Sequence, residues 1–77
     1  MRRLLIIARD FNAAKHWAHE HKLSPGQWVY ISSFYNIQGN PGADYLKIPG
    51  WDQRPDIKVL EAALETSQCI EVTWPLQ

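Results

Sequence analysis

The run Leu4-Leu5-Ile6-Ile7-Ala8 constrains this chain more than any other stretch. It contains no polar position, so neither of its faces suits water. Arg3 bounds it on one side and Arg9-Asp10 on the other. Such a run suits a central β-strand covered on both faces. A chain of 77 residues has to supply the rest of that sheet and its covering layers from a single domain, residues 1–77. A domain this small buries only about 60–65% of its unfolded surface, so a partner or a second copy would add a useful margin.

The neighbours of the run supply the layers. Asp10 or Asn12 can cap a helix, and Ala14, Trp17, Ala18 and His21 recur at helical spacing, which predicts an amphipathic helix over about 13–22. Lys22 suits its last turn, and Ser24-Pro25-Gly26 stops it. Trp28-Val29-Tyr30-Ile31 are strong β-formers and predict a second strand. Ser32 to Gly42 holds Asn36, Gly39, Asn40, Pro41 and Gly42 and reads as a long loop. Tyr45 to Ile48 alternates, with Leu46 and Ile48 on one face and Tyr45 and Lys47 on the other, and Pro49-Gly50 ends that third strand. Pro55 suits the first turn of a second helix, with Asp52 or Arg54 near its cap. Ile57, Leu60 and Leu64 mark its buried side, and Ser67-Gln68 breaks it. Cys69 to Trp74 alternates again, with Ile70, Val72 and Trp74 apolar, and reads as an edge strand ended by Pro75.

The order is therefore β-α-β-β-α-β: an α/β domain with a four-stranded sheet and two helices. Two topologies fit. One is a parallel-rich sheet of two βαβ units with right-handed crossovers. The other is a ferredoxin-like antiparallel sheet with a hairpin between strands two and three. The length of the loop after the second strand favours the parallel-rich version. In both, strands one and three run the same way, so their carboxyl ends share one edge. That edge gathers Arg9, Asp10 and Asn12 with Trp51, Asp52 and Arg54. A parallel-rich sheet adds Ser32 and Ser33.

Charge and composition exclude several functions. Net charge is zero, which argues against a general nucleic-acid binder. Residues 1–38 carry five Lys/Arg against two acids, and residues 39–77 carry three against six. Either this is chance, or it marks a dipolar surface that favours self-association. The single cysteine, Cys69, leaves no internal disulfide and no multi-cysteine zinc site, and a reducing cytoplasm is the simplest setting. The apolar run after Met1-Arg2-Arg3 is too short for a signal peptide, and no stretch approaches the roughly 20 apolar residues of a membrane span. His16, His19 and Glu20 share a helix, but Leu23 stands where a zincin motif needs its second histidine, so no metal is expected. No nucleophilic elbow surrounds Ser32 or Ser33, and Cys69 has no obvious base, so no catalytic residue and no cofactor are assigned.

The carboxyl-edge residues Arg9, Asp10, Asn12, Ser32, Ser33, Asp52 and Arg54 form the candidate ligand site. Two arginines and two helix starts suit a phosphate, a carboxylate or a nucleotide. The bland alternative is that the acids cap the helices and the arginines pair with them. Trp51 either folds over the core as a lid or stands out as an interface anchor. With Gln53 beside it, Gln38 in the long loop, and Trp74 on the last strand, it forms the candidate partner surface.

Taken together, Ala8-Arg9 after a strand, Trp17-Ala18-x-Glu20-His21-x-Leu23, Trp28-x-Tyr30, Gly39-x-x-Gly42-Ala43-Asp44 and Gly50-Trp51-x-x-Arg54-Pro55-Asp56 resemble small orphan proteins of bacteriophages that infect actinobacteria. The resemblance implies a phage origin and action in the host cytoplasm, and no defined activity. A fainter one links Gly39 to Trp51 to the Walker B half of a P-loop NTPase core. The acids expected at the strand end are replaced by Pro49-Gly50-Trp51, and the Walker A loop is absent, which implies at most a shape able to hold a nucleotide. The leading expectation is a non-catalytic interaction module that binds itself or a host protein. A nucleotide- or phosphate-binding module is the alternative, and DNA binding through Arg2, Arg3, Arg9, Lys15 and Lys22 ranks below both.

Overall fold

The computed structural model describes residues 3–74. Arg2 and the strand stop expected at Pro75 lie outside the described residues. The elements are β1 (Leu4–Ile7), α1 (Phe11–Glu20), β2 (Trp28–Tyr30), α2 (Phe34–Gln38), β3 (Asp44–Lys47), α3 (Ile57–Thr66) and β4 (Ile70–Glu71), with 3-10 turns at Pro25–Gln27 and Trp51–Gln53. The four strands form one sheet in the order β2-β1-β3-β4. Every pairing is parallel, with Leu5 opposite Val29 on one side and Tyr45 on the other. The fold is thus α/β and more parallel than either expected topology required. The ferredoxin-like alternative fails because β2 and β3 flank β1 and do not pair with each other.

β1 behaves as its composition demands. Leu5 and Ile7 enter one core with Ile31, Ile37, Ala43, Leu60 and Leu64, beneath α2 and α3. Leu4, Ile6 and Ala8 enter the other with Ala14, Leu46 and Ile48, beneath α1. Two opposite apolar faces are why the strand has no polar position.

Two expectations need correction. Within the expected loop Ser32–Gly42 lies the short helix α2. The Asn36 side-chain oxygen accepts from the backbone N–H of Ser32 and Ser33, at 2.9 and 3.1 Å, and holds its first turn. Ile37 is fully buried, and Phe34 packs against the same core. The turn residues Asn40 and Gly42 belong only to its exit. The last strand is also shorter than the expected Cys69–Trp74. Its final ladder bond runs from Val72 N–H to Tyr45 O at 2.9 Å. Beyond that, side chains hold the segment: Trp74 packs edge-on against Trp17, ring centres 5.3 Å apart. Val72 and Trp74 reach the core beneath α1 as expected, whereas Ile70 stays exposed.

No described helix is long and apolar enough to cross a membrane.

Candidate functional site

From β1 the chain passes through α1 to β2 on one side, then crosses through α2 to β3 on the other. The carboxyl ends of β1 and β3 therefore form a topological switch point, where open α/β sheets usually hold ligands. The two ends touch. Gly50 has φ 96°, and a β-carbon there would stand 3.4 Å from the β-carbon of Arg9. A left-handed φ and a close neighbour both favour glycine at this position. Beside this contact lies an open groove of about 520 Å³, lined among others by Arg9, Asp10, Asn12, His16, Ile48 and Pro49.

The candidate ligand residues divide into two groups, with Asp52 in neither. Arg9, Asp10 and Asn12 line the groove. Arg9 Nε lies 3.3 Å from Asp10 Oδ2, and both side chains are at least half exposed. Asp10 Oδ1 accepts from Ala13 N–H at 2.8 Å and caps α1. That bond, helped by the Arg9 guanidinium, holds the Asp10 carboxyl below its ordinary pKa against a smaller opposing effect of desolvation. A carboxylate thus already occupies the position an incoming anion would take at this helix start.

Ser32, Ser33 and Arg54 form the second group, away from the groove. Arg54 is buried. Its Nη1 donates to Ile31 O, and its Nη2 donates to Ser32 O at 3.1 Å and to Asp56 Oδ2 at 3.0 Å. Nε donates to Asp56 Oδ1 at 3.0 Å, and the guanidinium carbon stands 5.4 Å from the centre of the Tyr30 ring. A planar fork with five donors meets two carbonyls and a carboxylate at once, which a lysine could not do. Arg54 ties the end of β2 to the start of α3. Ser32 Oγ donates to Asn36 Oδ1 at 2.9 Å, so this side chain is engaged in the first turn of α2. Asp52 is exposed on its 3-10 turn.

The partner residues are also dispersed. Trp51 packs against the core beneath α2 and α3, and Lys47 Nζ stands 4.2 Å from its ring centre. Lys47 in turn lies 3.7 Å from Glu61 and 4.0 Å from Glu71. Of the two expectations for Trp51, the lid matches this half-buried placement. Gln53 is exposed beside it. Gln38 is exposed at the end of α2, which leads into β3 and so lies at the amino edge of the sheet. Trp74 lies on the α1 face.

That face holds what sequence reasoning missed. A single ten-residue helix lies over the four strands there, whereas α2 and α3 share the other face. Aromatic rings close both flanks. Toward β2, Phe11 stacks on Trp28 at 6.1 Å and meets Tyr30 edge-on at 5.8 Å. Toward β4, Trp17 stacks on His21 at 4.1 Å, and Trp74 meets both edge-on. His21 Nδ1 also lies 2.8 Å from Trp17 O. Phe11 remains 52% exposed, and Ile70 on the same face 56%. Phe11 carried a signal: it precedes Ala14 and Ala18 at i, i+3, i+7, so an apolar ring there extends the stripe by one turn to the helix start, where it meets Trp28 and Tyr30.

Among the described residues, no three His, Cys, Asp or Glu side chains cluster as metal ligands. Comparison with protein families, with curated proteins and with solved structures finds no match to this chain.

Proposed function

We propose that this chain is an interaction module whose partner is a protein and whose contact surface is the α1 face. The observation that carries the reading is the half-covered sheet: one helix over four strands, with partly buried aromatic clusters on both of its flanks and Phe11 exposed at one of them. Rings of this kind supply large contact area with few torsions to freeze, and Trp, Tyr and Phe are enriched in protein interfaces. Arg54 serves the fold, and the first helix start already holds a carboxylate, so the chemistry on hand favours a protein surface over a phosphate. The resemblance to small phage proteins adds a host protein, beside a second copy of the chain, as the partner.

Amine-reactive crosslinking in cells that make the protein tests this reading. Lys15 lies on α1 and Lys22 just past it, whereas Lys58 lies on α3 across the sheet. Crosslinks to any protein through Lys15 or Lys22, lost on Phe11→Asp, support the α1 face. No crosslinks, or crosslinks through Lys58 alone, overturn it.

A further inference from the structure

The two edges of the sheet differ in a way that bears on this interaction. β2 is one edge and β4 the other. Natural edges are blunted by charge, proline, bulges or brevity, because open backbone groups template pairing with another strand. β4 is two residues long and carries Glu71. β2 is Trp28-Val29-Tyr30, three strong β-formers with no charge and no proline among them.

The ladder fixes which groups of β2 face outward. Ile31 N–H donates to Ile6 O at 3.0 Å, so Ile31 and, two residues before it, Val29 turn their backbone groups toward β1. By the alternation of an extended strand, Trp28 and Tyr30 turn theirs toward the open side. The side chains alternate as well. Trp28 and Tyr30 project to the α1 face and pack on its core, while Val29 packs on the opposite core.

We propose that β2 pairs antiparallel with β2 of a second copy, about a two-fold axis at Val29, joining two four-stranded sheets into one. The proposal rests on the protein-interaction reading and names both partner and contact. With Val29 opposite itself, Trp28 of one copy lies opposite Tyr30 of the other. These are the residues whose N–H and C=O face outward, so both pairs exchange backbone hydrogen bonds while the central Val29 pair does not. A register centred on Trp28 or Tyr30 leaves only that one residue, opposite itself, as a hydrogen-bonded pair within the strand, against two such pairs with Val29 at the centre.

Side chains favour the same partner. The pairing sets Trp28 beside Tyr30 of the other copy on the α1 face, and cross-strand aromatic pairs are among the favourable ones. The half-exposed Phe11 ring, already against both residues, then sits at a seam between two identical clusters. A three-residue strand buries little area alone. A groove of about 350 Å³ between α1 and the start of β2, walled by Leu23, Pro25 and Trp28, adjoins the seam and offers more. The strand is neutral, so self-pairing sets no like charges opposite each other; pairing of β4 with itself would bring two Glu71 carboxylates together. A two-fold contact also closes at a dimer and leaves no growing end.

The test is light scattering of the full chain at about 100 μM, a level at which weak pairs with micromolar Kd are largely formed, together with a site-specific crosslink. Val29→Cys in a Cys69→Ser background should give an interchain disulfide under mild oxidation, because non-hydrogen-bonded antiparallel pairs bring β-carbons close. Glu71→Cys in the same background should give none. Tyr30→Pro removes the outward N–H, and with it the ring that meets Phe11, and should return the protein to monomer, with its helical circular dichroism retained. Phe11→Asp, on an exposed side chain, should weaken dimerisation about tenfold or more. A monomer with no Val29 disulfide overturns the proposal. If Lys15 or Lys22 still crosslinks to a different protein, the interaction reading survives and only self-pairing falls. A dimer that forms without the Val29 disulfide and persists in Tyr30→Pro overturns the β2 edge instead.

Discussion

Arg54 and Arg9 carry the same charge and sit at the same edge of the sheet, yet the fold treats them oppositely. The Arg54 side chain is 6% exposed, against 61% for Arg9. Removing a buried, fully engaged cation leaves the Ile31 and Ser32 carbonyls without their partner and Asp56 without its counter-charge. Arg54→Met should therefore cost about 3 kcal/mol of stability. Arg54→Lys should recover little of it, because one ammonium cannot span the same acceptors. Arg9→Ala should change stability by less than about 0.5 kcal/mol. Urea unfolding checks all three; equal midpoints for the two alanine- and methionine-bearing variants would refute the distinction. The division was half visible in advance. Arg54-Pro55-Asp56 places an acid two residues after the arginine, and that local pair was open to inspection. The carbonyls of Ile31 and Ser32, more than twenty residues away, were not.

Elements began and ended for reasons that differ in range. Both long helices end with a residue in the left-handed region: Lys22 at φ 60° and Gln68 at φ 57°. The following residue closes each helix, with Leu23 N–H on Ala18 O at 2.9 Å and Cys69 N–H on Leu64 O at 3.0 Å. Glycine is the usual occupant of that position, and a side chain there is strained by about 1 kcal/mol. Lys22→Gly and Gln68→Gly should each raise stability by about 0.5–1 kcal/mol, with additive midpoints, since the two sites close different helices. Thermal unfolding of the two variants and their combination checks this; destabilisation by either would mean the side chain serves another purpose. The second stop was read at Ser67-Gln68, which holds the residue that turns the chain, and the first at Ser24-Pro25-Gly26, just past the turning residue Lys22. α2 was missed because its turn residues were weighed and its apolar pair Phe34 and Ile37 was not. A five-residue helix shows too little periodicity to stand out, and only the core above it makes it stable.

At the scale of the molecule, stability should be graded from the centre of the sheet outward. β1 pairs on both sides, and each of its residues is at most 7% exposed. β4 pairs on one side through two residues, both exposed. Native-state hydrogen exchange should find the β1 amides protected ~100-fold or more beyond those of β4. Equal protection would mean that the sheet opens only as a unit. The sequence alone determined the four strands, the two long helices, the central place of Leu4–Ala8, and the meeting of Arg9 with the segment after Ile48. Those follow from short-range periodicity and from the rule that parallel strands share a carboxyl edge. Tertiary structure decided the strand order, the all-parallel pairing, the burial of Arg54 and the pairing of Phe11 with Trp28 and Tyr30. Each depends on which distant segments become neighbours, and that is settled by how helices divide between the faces of the sheet. Two of the three lie on one side, so the other side is covered by α1 alone, with aromatic rings at both margins.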